Sequence, residues 1–72
     1  MIGYILTETE KNSINGKFYS TVQFFYCSQN VNGIWFILLS EDDKKIIINT
    51  NYKWILDCPK SEFIPPPPPP MF

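Results

Sequence analysis

Apolar and aromatic residues recur along this chain in short runs that are separated by polar turns. Residues 34–39, IWFILL, are apolar on both faces and lie between two turn signals, Asn32-Gly33 and the acidic stretch 41–44. A short run of this kind predicts a buried strand with a neighbour on each side. Asn followed by Gly predicts a two-residue turn, because both positions of that turn need positive φ.

The remaining pattern predicts further strands. Residues 2–7 alternate and predict a first strand, and the aromatic-rich residues 18–28 predict a second. The polar residues 8–17 between them are either an irregular loop or the far end of a long hairpin. Residues 46–48 continue the sheet after a turn at Asp42-Asp43. Residues 52–58 form either a fifth strand or a turn of helix, which Pro59 ends.

The two turns together set a register for the sheet. A two-residue turn at Asn32-Gly33 places Cys27 opposite Leu38, and the acidic turn places Leu39 opposite Ile46. Both faces of the predicted sheet are then apolar, as in a small barrel or a sheet that docks on another surface. The fold class predicted is all-β, a four- to five-stranded antiparallel meander. One face has Phe24, Tyr26, Trp35, Ile37 and Leu39, and the other has Tyr4, Leu6, Phe25, Cys27, Phe36, Leu38 and Ile47.

The composition changes near Lys60 and divides the chain into a small β-domain, residues 1–59, and a proline-rich tail, residues 60–72. Six consecutive prolines favour a polyproline II rod of roughly 19 Å, at about 3.1 Å per residue. Such rods dock into the aromatic-lined grooves of SH3, WW, EVH1 and profilin-type proteins, although a stiff spacer is the alternative. The candidate partner-binding residues of the tail are Phe63, Pro65, Pro66, Pro67, Pro68, Pro69, Pro70 and Phe72.

The order of strands and turns, with Trp35 opening the third strand and Asn51-Tyr52 before the last, resembles the SH3 family over most of residues 2–57. The resemblance implies a small SH3-like barrel. If it extends to the groove, Tyr4, Trp35 and Tyr52 form its aromatic wall, and the chain's own prolines, in cis or from a neighbouring copy, are a candidate occupant. Otherwise these three side chains are core or edge packing.

Charge and composition exclude several kinds of chemistry. The net charge is −1, with six Lys and no Arg or His, so a basic surface for phosphates and the commonest general base and metal ligand are missing. Two cysteines, Cys27 and Cys58, are too few for a structural zinc site, and they are either reduced or joined as a disulfide. We therefore predict no catalytic residues, no metal site and no cofactor, and hence no enzyme.

These observations predict a non-catalytic protein–protein interaction module that binds another protein through its aromatic sheet face or its proline tail. The small size and the Asn/Ile/Lys-rich composition are typical of phage or mobile-element accessory proteins that modulate a host protein. One alternative is a structural homo-oligomer. Another is a small barrel that stacks single-stranded nucleic acid on Tyr19, Phe25 and Trp54, which the net charge disfavours. No signal-peptide pattern or membrane-length apolar run is present in the sequence, which predicts a cytoplasmic location.

Overall fold

The computed structural model of the protein describes residues 2–71. It contains four short strands, two α-helices and one 3-10 helix. In chain order these are β1 (Ile2–Leu6), α1 (Glu8–Ile14), β2 (Cys27–Gln29), β3 (Trp35–Ile37), α2 (Glu41–Ile47), the 3-10 helix (Lys53–Asp57) and β4 (Lys60–Glu62).

The strands form one antiparallel sheet in the order β2-β3-β1-β4. The predicted central strand is confirmed, since β3 lies between β2 and β1. The sheet is open and is not closed into a barrel, because β2 and β4 are its two edges. The antiparallel, β-rich class is therefore correct, while the SH3-like barrel is not confirmed. Strand β4 also lies beyond the composition change at Lys60, so the sheet extends into the predicted tail.

The predicted register between β2 and β3 was wrong by one residue. Cys27 lies opposite Ile37 instead of Leu38, and Gln29 lies opposite Trp35. The cause is the turn, in which Gly33 has a φ of +81° and no non-glycine residue within 2–71 has a positive φ. Asn30 and Ile34 are paired through their backbones, so the turn between them contains three residues, 31–33. It ends in one left-handed glycine.

Because side chains alternate between the two faces of a strand, this shift of one residue changes which side chains of β2 and β3 share a face. Tyr4 and Ile37 lie directly opposite each other on the inner face of the sheet, and Trp35 and Leu6 lie there too. Phe36 is on the outer face, opposite Ile5. The predicted face that joined Phe24 and Tyr26 to Trp35, Ile37 and Leu39 is consequently not formed.

Two helices replace a predicted loop and a predicted strand. Helix α1 begins after Thr7, whose hydroxyl accepts a hydrogen bond from the Glu10 backbone N–H while the Glu10 carboxylate accepts one from the Thr7 N–H. Ser40 and Asp43 make the same reciprocal pair at the start of α2. These capping boxes satisfy N–H groups that the first helical turn leaves without partners. The predicted pairing of Leu39 with Ile46 is therefore wrong, since Ile46 is helical.

Residues 53–57 form a turn of 3-10 helix, the second of the two predicted alternatives. Cys58 follows it in extended conformation, with φ of −70° and ψ of 153°, as expected for a residue before proline. Pro59 then leads into β4, and its carbonyl accepts a hydrogen bond of 2.7 Å from the Ile5 N–H. The last strand is thus fixed beside β1.

The core lies between the inner face of the sheet and the segments that pack on it. Both helices and the 3-10 helix each contribute a fully buried isoleucine. Partly buried side chains, including Trp35 and Tyr52, surround this cluster. Its buried members are Tyr4, Leu6, Ile14, Tyr19, Phe25, Ile37, Ile47 and Ile55.

Candidate interaction surfaces

The root of the proline tail is fixed on the outer face of the sheet. Strand β4 pairs with β1, and the next residue, Phe63, is 7% exposed with its ring centroid 5.3 Å from that of Phe36. Gly3 lies beneath this contact, and a Cβ atom there would come within 2.8 Å of the Phe36 ring. Phe63 is therefore a packing residue in this structure, although the sequence predicted it as a partner-binding residue.

Beyond this root the tail is exposed. Every proline from Pro65 to Pro70 is exposed, and Met71 is 98% exposed. Phe72, the last predicted binding residue, lies outside the described residues. The tail is therefore an accessible segment with a fixed starting point.

The predicted aromatic wall does not form a common exposed surface. Tyr4 is 3% exposed, in the core. Trp35 is half-buried, with the Lys11 ammonium 4.2 Å from the centroid of its ring. Tyr52 is half-buried and packs edge-on against Phe25 at 4.9 Å between ring centroids. The structure brings all three onto one hydrophobic core, as the packing alternative predicts.

The rings proposed to stack nucleic-acid bases are also placed inside the protein. Tyr19 and Phe25 are buried and stack on each other at 4.4 Å, and Trp54 is half-buried. Stacking of a base requires an open ring face. Neither Tyr19 nor Phe25 presents one.

A different set of aromatic residues is exposed, and it belongs to a small hairpin arm formed by residues 17–25. The backbone N–H of Phe25 donates to the Lys17 carbonyl, and the N–H of Tyr19 donates to the Gln23 carbonyl. Side chains alternate across such a ladder. Tyr19 and Phe25 point into the core, while Phe18 and Phe24 pair on the opposite side.

We call Phe18, Phe24 and Tyr26 the aromatic stripe. The ring centroids of Phe18 and Phe24 are 4.2 Å apart, and those of Phe24 and Tyr26 are 6.0 Å apart. The three residues are 58%, 40% and 72% exposed, respectively. Beside them lies an open depression of about 530 Å³ lined by Phe18, Tyr19, Ser20 and Thr21. The stripe is thus an aromatic surface on the arm.

A polar contact fixes the arm to helix α2. The Tyr19 hydroxyl donates to the Asp43 carboxylate and also contacts the Gln23 side chain. Burial, followed by the Asp43 hydrogen bond and charge, raises the pKa of Tyr19. Burial acts to raise the pKa of Asp43, but the hydrogen bonds from Tyr19 and Ser40 outweigh it and lower this pKa. The neutral hydroxyl and the ionised carboxylate are therefore the favoured pair.

A cleft of about 620 Å³ opens beside Tyr4, between β1, β4 and the start of α2. Two ammonium groups flank the Tyr4 ring, Lys60 at 5.4 Å and Lys44 at 6.0 Å from its centroid. The Lys44 ammonium also forms an ion pair of 3.0 Å with Glu41. Because this acid balances one of the two lysines, the cleft does not concentrate positive charge for an anionic ligand.

The two cysteines are free and half-buried. Burial raises the pKa of the Cys27 thiol to about 11, although the Lys11 charge opposes it. Burial and then the charges of Glu10 and Asp57 raise the pKa of Cys58. Both side chains are therefore neutral thiols near pH 7, and a thiol is a much poorer nucleophile than a thiolate. Within residues 2–71 no group of three His, Cys, Asp or Glu side chains could hold a metal ion.

No protein-family model, curated protein or solved structure matches this chain. Among residues 2–71, no helix has the length and apolar character needed to cross a membrane. Inference of function therefore rests on two surfaces, the exposed proline run and the aromatic stripe.

Proposed function

We propose that this protein is a non-catalytic interaction module whose folded domain presents its proline run to an aromatic-lined groove of another protein. The observation that supports this proposal is the combination of a packed root at Phe63 with six prolines that are all exposed. A disordered spacer would not need a buried aromatic residue at its base.

The chemistry of the run suits such a ligand. Proline fixes φ near −65° and has no backbone N–H, so consecutive prolines favour polyproline II and present only carbonyl acceptors. A rod that is already extended loses little conformational entropy when it docks. The partner would supply aromatic rings for the pyrrolidine faces and hydrogen-bond donors for the carbonyl groups.

The shape of the chain supports presentation at a distance. The Cα atoms extend 45 Å along the longest axis and 25 and 23 Å along the other two. The excess in length is close to the roughly 19 Å expected for six prolines in a polyproline II rod. A rod that starts from a fixed residue can reach a groove in a partner without contact between the partner and the domain.

The half-buried free thiols accord with the reducing cytoplasm predicted from the sequence.

The proposal can be tested with a panel of purified SH3, WW, EVH1 and profilin domains, using isothermal titration calorimetry. The full chain is compared with a variant in which residues 65–70 are replaced by Gly-Ser pairs of the same length, which removes the rod but keeps Phe63. We expect at least one domain to bind the full chain and to lose about tenfold or more in affinity for the variant.

Met71→Ser provides a matched control, because this residue is 98% exposed in the same tail and the substitution leaves every proline in place. It should bind as the unmodified chain does. If none of the domains binds, or if the Gly-Ser variant binds equally well, the proline run is not the ligand.

A further inference from the structure

Charge is distributed very unevenly along this chain. Residues 18–40 contain no Asp, Glu, Lys or Arg, and neither do residues 63–72. The first segment contains the aromatic stripe and the second contains the proline run. Two uncharged and largely apolar surfaces are thus exposed on a protein of 72 residues, where exposed apolar patches usually mark interaction sites.

We infer that the aromatic stripe of one copy of this chain binds the proline run of a second copy. The inference rests on the proposed function, because it takes the proline run to be a docking ligand. It goes further by assigning an acceptor for that ligand on the same protein. The acceptor is the stripe on the hairpin arm and not the predicted wall of Tyr4, Trp35 and Tyr52.

The two surfaces are chemically complementary. Pyrrolidine rings pack on aromatic faces, and the stripe offers three exposed rings. A run of prolines has carbonyl acceptors and no donors, so its binding site must provide donors. Hydroxyl groups that can donate lie at the stripe, on Tyr26, and on the arm beside it, on Ser20 and Thr21.

The dimensions also agree. With centroid separations of 4.2 and 6.0 Å, the stripe is at most about 10 Å long. One turn of polyproline II, three residues at about 3.1 Å each, is close to this length. Six prolines therefore provide two such turns, of which the stripe accommodates one at a time.

A second copy is the occupant that the geometry favours. In this structure the stripe is exposed and the prolines of the same chain are exposed as well, so they do not cover each other. The chain is elongated, 45 Å against 25 and 23 Å along its other axes, as expected if the tail extends away from its own domain. A stiff rod that projects outward meets the arm of another molecule more readily than its own.

The arrangement has a consequence for assembly. Two copies that exchange tails reciprocally form a closed dimer, whereas one-way docking continues head to tail. In either case each docked proline run is partly covered, so self-association competes with its binding to another protein.

A complementation experiment tests this inference with full-length chains. Phe18→Ser disrupts the stripe but retains the tail, and the Gly-Ser replacement of residues 65–70 retains the stripe but removes the rod. Val31→Ser is the matched control, because Val31 is 52% exposed and lies outside the stripe. Each protein is analysed by sedimentation velocity over an about 100-fold range of concentration, since association follows mass action. Circular dichroism checks that each variant is folded.

We expect the unmodified chain and Val31→Ser to self-associate, and each of the other two variants to remain monomeric alone. Mixed in equal amounts, those two variants should form a one-to-one complex, because one supplies the rod and the other supplies the stripe. Tyr26→Ser, in a residue that is 72% exposed, replaces Phe18→Ser if the latter does not fold.

Three results would overturn the inference. The unmodified chain could stay monomeric throughout, either disrupted variant could associate as well as the unmodified chain, or the mixture could fail to form a complex. The calorimetric titration of SH3, WW, EVH1 and profilin domains distinguishes failure of this inference from failure of the proposed function. Binding of one of those domains to a strictly monomeric chain would retain the proline run as a ligand and reject the stripe as its acceptor.

Discussion

Gly3 allows two aromatic rings to occupy the outer face of the sheet. It lies in β1 opposite Ser61 of β4, and the Phe36 and Leu38 side chains occupy the space that a side chain at position 3 would need. Phe36 and Phe63 can therefore meet across the sheet, each less than a tenth exposed. A single missing Cβ atom thus provides the room for the packed root of the tail.

Replacement of Gly3 by Ala should destabilise the protein by about 1–3 kcal/mol, because the added methyl group would lie 2.8 Å from the Phe36 ring and 3.0 Å from Leu38. Urea unfolding followed by circular dichroism measures the change. Ser61→Ala, on the exposed residue opposite Gly3, is the control and should stay within about 0.5 kcal/mol of the unmodified chain. Equal stability of Gly3→Ala would show that the two rings do not depend on the space at Gly3.

At the residue scale, the sequence grouped half of the buried core side chains on one face but did not identify the exposed aromatic residues. Tyr4, Leu6, Phe25 and Ile47 were assigned to one face, and all four belong to the core. Phe36 was misplaced because the turn at Gly33 contains one more residue than Asn-Gly pairs usually imply. The exposed rings could not be identified, since aromatic alternation in residues 18–26 does not reveal which side faces the core.

At the scale of elements, the sequence contains a start signal for each of the two helices, but patterns that predict loops and strands outweighed these signals. Thr7 with Glu10, and Ser40 with Asp43, have the spacing of capping boxes. Each helix has only seven residues, too short for a clear helical period, and the β-branched run 46–48 favoured a strand. Strands β1 and β3 were found because the apolar residues of β1 alternate and those of β3 belong to a continuous apolar run between two turn signals.

The contact between the hairpin arm and α2 predicts a dependence of stability on pH. The pKa of Asp43 is lower in the folded protein than in the unfolded chain, so its contribution is complete above about pH 4 and disappears as pH falls through the folded pKa. The pKa of Tyr19 is raised, so its contribution is present below about pH 10 and disappears as pH rises through the folded pKa.

The urea midpoint measured as a function of pH should therefore decrease below about pH 4, and Asp43→Asn should reduce this acid decrease. Asp42→Asn serves as the control, because it removes the same charge from the same helical turn at an exposed residue. It should retain the acid decrease of the unmodified chain. If the urea midpoint of both variants decreases by the same amount below about pH 4, the Asp43 contact does not contribute to that decrease.

At the scale of the whole molecule, charged and uncharged segments alternate along the chain. The charged residues lie within 8–17, 41–45 and 53–62, which include the two helices, the 3-10 helix and β4. Residues 18–25 of the hairpin arm, β2, β3 and the proline run contain none. Association between the stripe and the proline run would accordingly depend on apolar contact and not on ion pairs.

The self-association that we infer should therefore be retained when the sodium chloride concentration increases, and ammonium sulfate should strengthen it. Screening weakens only interactions between charges, whereas excluded salts favour the burial of apolar surface. Sedimentation velocity at matched protein concentrations measures the effect. The Gly-Ser tail variant, which lacks the rod, is the control and should not respond. A marked loss of association in sodium chloride would instead indicate ion pairs between lysines and carboxylates.

The position of β1 in the sheet has a consequence for synthesis. Of the four strands it is the first to be made, yet it lies between β3 and β4, and β4 is the last of the four. Until residues 60–62 have been translated, one edge of β1 has no partner, and unpaired apolar edges promote aggregation. Translation that stops shortly before Lys60 would therefore release a product that contains almost the whole core but has an unpaired, aggregation-prone sheet edge.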